Sequence, residues 1–244
     1  DTSTSSCGNS RFGCWVCTVV EKDKSMENLI DSGEDWMQPL LELRQDLKDT
    51  QDPEKKLEIR DFKRRDGKVI FFTDGTEKIT PGPYKIEFRK EFLKKLLQAQ
   101  EQVRKDGPDS TMSLILEEEI HEIQRIWRVE QGDWENSVYA IYQEITGVNL
   151  SLVKEDMGGF TEVEQNILDE ICVQNSVPKL LVSKLLNAEF DSQGMTRHSK
   201  IYPKLGKILS EEWRGYDEIE TIKKELKEKK IKKIQNEQFS RETK

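Results

Sequence analysis

Apolar residues recur along this chain at helical spacing in several separated blocks, and only one short block reads as a strand. From Ser25 onward, Leu29, Ile30, Trp36, Leu40, Leu41 and Leu47 make a broken helical stripe, with Ser25 as N-cap and Asn28 three residues on. Breaks are expected at Ser32-Gly33 and before Pro39, since Gly and Pro interrupt helices most strongly. Pro53 at a first-turn position predicts a short helix over 54–64. The strand-like segment VIFFT lies between the turn signals Asp66-Gly67 and Asp74-Gly75, and Lys78-Ile79-Thr80 can return antiparallel to it. One small hairpin near 66–80 is therefore expected, closed off by Pro81-Gly82-Pro83.

Beyond it, Ile86, Phe88, Phe92, Leu93, Leu96, Leu97 and Val103 predict a helix that stops before Gly107-Pro108. Ser110 or Thr111 is expected to cap the next, with Leu114, Ile115, Ile120, Ile123 and Trp127 inward, Glu117, Glu118, Glu122 and Arg125 outward, and Gly132 as its stop. A further helix over 134–146 carries Val138, Ile141, Tyr142 and Ile145, with Gly147 at C′. Thr161 and Glu164 have the spacing of a capping box ahead of Ile167, Leu168, Ile171 and Cys172. After a turn at Asn175-Ser176, Pro178 opens a helix bearing Leu180, Leu181, Val182, Leu185 and Leu186. A helix pair in a helical core is favoured over a DNA-reading helix-turn-helix, because the second helix offers only Lys179 and Lys184 to nucleic acid. From Asp217 one long charged helix is expected, with a thin stripe of Ile219, Ile222, Leu226, Ile231 and Ile234. The fold class is thus mainly α with one small β-hairpin.

Composition narrows the function. The longest apolar run, Val138 to Tyr142, falls far short of the roughly 20 residues a spanning helix needs, so no membrane partner is expected. The polar start DTSTSSCGNS has no apolar core of a signal peptide, which points to a cytoplasmic protein. The net charge of -8 hides an asymmetry: Thr221 to Lys244 holds nine Lys/Arg against four Asp/Glu. A second basic cluster, Arg60, Lys63, Arg64, Arg65 and Lys68, is a candidate for phosphate contact or, equally, a solvated surface.

The dense chemistry is Cys7, Cys14 and Cys17 within CGNSRFGCWVC. A CxxC step lets two thiolates reach one metal centre, and Gly8 and Gly13 let the backbone fold closely around it. Three cysteines do not complete a site; the fourth ligand is expected upstream of Asp1, in keeping with a sequence that starts at Asp rather than Met and reads as a piece of something longer. Cys172, on an apolar helix face, reads as a small core residue, and His121 and His198 are poor ligand candidates. A disulfide is disfavoured because it leaves one of three clustered cysteines unpaired. Trp15, Val16, Val19 and Val20 suit an iron-sulfur cluster shielded from water, with zinc as the alternative. No GxGxxG, GxxxxGK[ST], HExxH or GxSxG motif occurs, the glutamates 117–119 read as a solvated face, and Trp127, Trp134 and Trp213 as core.

The strings CGNSRFGCWVCTVVEKDKSMENLI, PGPYKIEFRKEFLKKLLQAQ and QGMTRHSKIYPKL resemble the C-terminal half of the DndC family of DNA phosphorothioation proteins, a branch of the phosphoadenosine phosphosulfate reductase-like ATP pyrophosphatases. The likeness runs from Cys7 to about Trp213. It implies the C-terminal helical portion of an α/β adenine-nucleotide hydrolase-like protein whose N-terminal domain, with the SGGxDS loop for ATP, is not in this sequence. It also implies a 4Fe-4S cluster on Cys7, Cys14, Cys17 and one upstream cysteine, and DNA, a cysteine desulfurase and other phosphorothioation proteins as partners. The resulting organisation is an iron-sulfur loop over 1–24, a helical domain over 25–216 and a charged helix over 217–244. The implied activity is sulfur incorporation into the DNA backbone by the whole protein, with this piece inactive alone. Two further readings are a zinc-stapled helical module that binds nucleic acid or protein without catalysis, and a related reductase acting on adenylyl sulfate.

Overall fold

The computed structural model describes residues 15–65, 68–72, 79–150, 162–192 and 201–212. Among these the chain is mainly helical, and it divides into two compact units. The first takes in Asp1–Ile59 and Tyr84–Leu168, the second Arg60–Pro83 and Asp169–Lys244, so the helical stretch expected over 25–216 is shared between them.

In the first unit, α1 (Lys24–Asp31) starts one residue before the expected cap. Its N-cap is Asp23, whose carboxylate accepts from the Met26 N–H at 3.1 Å. A carboxylate there satisfies an orphan amide and also complements the positive helix end, so Asp23 takes the role expected of Ser25. The chain breaks at Ser32 and Gly33, the latter at φ 108°, and after a 3-10 turn over Asp35–Met37 it resumes as α2 (Gln38–Asp49) with Pro39 in its first turn. The helix expected over 54–64 is only α3 (Lys56–Ile59). It ends there because tertiary partners take the following backbone: Ile59 accepts from the Lys85 N–H at 2.9 Å, and Asp61 donates to the Pro83 carbonyl at 2.8 Å.

Helix α4 (Ile86–Asp106) has the expected limits. A Cβ at Gly107 would stand 2.6 Å from the Val103 carbonyl oxygen and 3.2 Å from the Trp36 ring, so the close packing of Trp36 requires the glycine. Helix α5 (Glu117–Gln131) begins later than the Ser110 or Thr111 cap predicts. Residues 109–115 are held otherwise: Asp109 accepts from the Thr111 amide and hydroxyl, and buried Gln100 accepts from the amides of Leu114 and Ile115. Glu119 then reaches back to the Leu116 N–H at 2.8 Å and closes the helix start. Gly132 and Gly147 end α5 and α6 (Ser137–Thr146) in the left-handed region, at φ 66° and 74°.

Leu93, Leu97, Ile120, Trp127, Val138 and Tyr139 form the main core of this unit, and burial of each large apolar side chain stabilises it by about 1.5–3 kcal/mol. Met26, Leu40 and Val103 form a second cluster beneath Trp15 and Trp36.

In the second unit, one antiparallel bridge, Phe71 opposite Ile79, is what the described residues contain of the expected hairpin; its turn, 73–78, lies outside them. Helix α7 (Glu162–Gln174), within which the division between units falls, leads through Ser176 at φ 53° to α8 (Lys179–Ser192). Lys179 and Asp169 pair at 2.7 Å across that turn. The apolar face of α8 packs with α9 (Ile201–Glu212) through Leu181, Ala188 and Ile208, whereas Ile171 and Val173 of α7 stay exposed.

Candidate metal-binding segment and basic ribbon

Of the cysteines expected to bind metal, Cys17 is described, as a half-buried free thiol; Cys7 and Cys14 lie outside the described residues, as do Thr161, His198, Trp213 and the segment 217–244. What is seen of the site is its support. The segment from Cys17 to Glu21 lies along the end of α2, where Arg44 and Lys48, one turn apart on the helix, and Gln51, just past its C-cap Thr50, all reach it. Arg44, with 0% exposure, donates from Nε to the Cys17 carbonyl at 3.0 Å, from Nη1 to that of Glu21 at 3.2 Å, and from Nη2 to that of Val20. Lys48 donates to the Thr18 carbonyl at 3.3 Å and pairs with Glu21 at 2.9 Å, and Gln51 donates to the Thr18 hydroxyl at 2.6 Å.

No sequence expectation singled out Arg44. A signal existed, because it follows Leu40 by four residues and precedes Leu47 by three, which places a charge inside an apolar stripe. Its partners, 23 to 27 residues away, leave no local trace.

The other cysteine and the described histidine have structural surroundings. Cys172 is buried, and desolvation, then the Asp169 charge, push its thiol up from the ordinary range, with Lys179 opposing. His121 Nδ1 is 2.7 Å from the Tyr139 hydroxyl, the rings meet edge to face at 5.5 Å, and Nε2 lies 3.7 Å from Glu117. Among the described residues no group of three His, Cys, Asp or Glu side chains is placed to hold a metal ion.

The basic cluster of the second unit sits on a ribbon of three backbone-bonded segments, 60–65, 68–71 and 79–83. Asp61 donates to Pro83, Gly82 donates back to Asp61 at 2.7 Å, Thr80 donates to Ile70 at 2.7 Å and Arg64 to Lys68 at 2.9 Å, all through backbone groups. Two of the guanidinium groups help build this ribbon. Arg60 Nη1 donates to the Gly82 carbonyl at 3.3 Å and Arg64 Nη1 to that of Pro81 at 3.5 Å. Lys63 lies 5.7 Å from the centre of the Phe62 ring, while Arg65 and Lys68 are exposed. The five basic residues are thus brought onto one structure, with unequal commitments to it.

No protein-family model, curated protein or solved structure matches this chain. Among the described residues no helix is long and apolar enough to cross a membrane.

One cavity of about 200 Å³ lies in the first unit between the end of α2, α3 and α4. Phe88 and Phe92, which stack on each other at 6.0 Å between ring centres, contribute its apolar wall, and Tyr84 stacks on Phe88 at 4.9 Å. Asp46, Asp49, Glu58 and Glu91 outnumber Lys55 and Lys95 around it, so its field disfavours a phosphate ligand.

Proposed function

We propose that this chain is part of a sulfurtransferase of the DndC kind that replaces a non-bridging oxygen of the DNA backbone by sulfur. The observation that carries the reading is the cysteine string CGNSRFGCWVC, whose last member enters a segment held in place by Arg44 and Lys48 of α2 and by Gln51 just beyond it. Cys7, Cys14 and Cys17 would hold a 4Fe-4S cluster together with a cysteine from preceding sequence. The surroundings of Cys17 fit such a group: a wholly buried guanidinium stands next to it, and a cluster bound by four thiolates carries net negative charge. When bound, the cluster supplies electron transfer and a soft iron site for sulfur.

The residues of this chain serve two purposes in this scheme. Arg44, Lys48 and Gln51 fix the backbone from Cys17 to Glu21, which limits the positions open to the Cys17 thiolate. Lys63, Arg65 and Lys68 present positive charge on the ribbon for the DNA backbone, and Arg60 and Arg64 hold the ribbon that carries them. In the whole protein, ATP bound outside the residues of this sequence would adenylate the phosphate oxygen with release of pyrophosphate, so that this oxygen would depart with AMP when sulfur takes its place. A cysteine desulfurase partner provides the sulfur.

Full-length protein purified without oxygen tests this. The expected result is a brown protein with the broad visible absorption of thiolate-bound iron-sulfur clusters, and sulfur in the DNA backbone, detected by mass spectrometry, when ATP and the desulfurase are supplied. A colourless protein with stoichiometric zinc would assign the chain to the zinc-stapled module instead. Release of sulfite from adenylyl sulfate would assign it to the reductases.

A further inference from the structure

We infer that Arg44, besides positioning the Cys17 segment, supplies the counter-charge of the thiolate–metal centre that Cys17 helps to form. The inference rests on the metal-binding reading above. Its starting point is an imbalance. Arg44 is completely buried, and a buried cation is costly unless an anion lies near it. Its Nε, Nη1 and Nη2 all have acceptors, but these are the neutral carbonyls of Cys17, Glu21 and Val20. They satisfy the N–H groups and leave the charge uncompensated.

No carboxylate among the described residues fills the gap. Glu21, the acidic residue whose backbone Arg44 touches, turns its side chain to Lys48 and is 86% exposed. Asp46, two residues along α2, pairs with Lys95. The residue whose carbonyl receives Nε, at 3.0 Å, is Cys17 itself, so the guanidinium is bonded to the backbone of a residue that the metal-binding reading makes a thiolate ligand. A centre built on thiolates has the sign the site lacks, whether its metal is an iron-sulfur cluster or zinc with four thiolates. Arg suits the position better than Lys, because a planar fork can meet three carbonyls of one turn while its charge remains permanent.

Positioning and counter-charge are separable. Arg44→Lys keeps the charge and loses the fork; Arg44→Gln loses the charge and keeps an amide donor. The cluster potential depends on nearby charge, so loss of a cation disfavours the more negative reduced state. In the full-length protein, Arg44→Gln is expected to shift the midpoint potential of the remaining cluster to more negative values, while Arg44→Lys lowers iron content with the potential close to wild type. Equal iron loss in both variants with an unshifted potential reduces Arg44 to a scaffold residue and overturns the inference. If the metal proves to be zinc, the same comparison is made on zinc affinity, with a larger loss expected for Gln than for Lys.

A measurement on the unmodified protein covers the case in which Arg44→Gln does not fold. Removing the metal with a chelator should speed amide exchange in residues 17–21 and the adjoining turn of α2, because the buried charge then loses its counter-ion. Equal protection with and without metal overturns the inference. Wild-type protein that binds no metal through its cysteines would sink the underlying reading as well, whereas a metal-loaded wild type with insensitive variants sinks only the role of Arg44.

Discussion

Gly82 lies so close to Lys63 that a Cβ on it would stand 1.8 Å from the Lys63 carbonyl oxygen. The neighbour is backbone, and Gly82 also donates to Asp61 and accepts from Arg60, so nothing nearby can give way cheaply. Gly82→Ala should therefore pull segments 60–65 and 79–83 of the ribbon apart. The expected cost is about 1–3 kcal/mol, read as a lower thermal midpoint for the second unit, with DNA affinity falling in parallel.

The five basic residues should separate by role. Arg65 is exposed, so Arg65→Ala should leave stability within about 0.5 kcal/mol of wild type and reduce the log–log salt slope of DNA binding by about 0.9, uniformly across sequences. Arg60→Ala should instead destabilise, since Arg60 donates to the Gly82 carbonyl. An unchanged salt slope in an Arg65→Ala, Lys68→Ala double variant would return the ribbon to an ordinary solvated surface.

Metal content should follow the cysteine string alone. Cys14→Ser and Cys17→Ser are each expected to abolish metal assembly in the full-length protein, whereas Cys172→Ala should retain it. Cys172 is buried with its thiol pushed up, so it should also resist alkylation at neutral pH until the protein unfolds. Elemental analysis and mass spectrometry of the alkylated native protein check both points, and loss of metal in a folded Cys172→Ala protein would contradict the assignment.

Gln100 should matter far more than a polar helix residue usually does. It is 2% exposed, and its side-chain oxygen accepts from two amides, Leu114 and Ile115, at 2.8 and 3.1 Å. Gln100→Leu keeps the volume and strands both donors, at a cost of about 1–3 kcal/mol for each buried amide left unpaired. Denaturant unfolding measures it, and a loss below about 0.5 kcal/mol would mean that water or a local shift replaces the bond.

The sequence alone determined where most helices run. Ile86 to Val103 repeat over five turns and Gly107-Pro108 follow, so α4 has the expected limits; Gly132 and Gly147 supply the left-handed residues at which α5 and α6 stop. These features are local, and periodicity and caps encode them within a few residues. Tertiary structure alone decided the rest. Gln100 holds the chain from Leu114 to Ile115 outside any helix, which delays α5 to Glu117; the bond from Asp61 to Pro83 ends α3 early; and Arg44 joins α2 to the Cys17 segment. Each of these is a hydrogen bond between residues 14 to 27 positions apart, and the pattern of neighbouring side chains carries no record of a partner that only folding brings near.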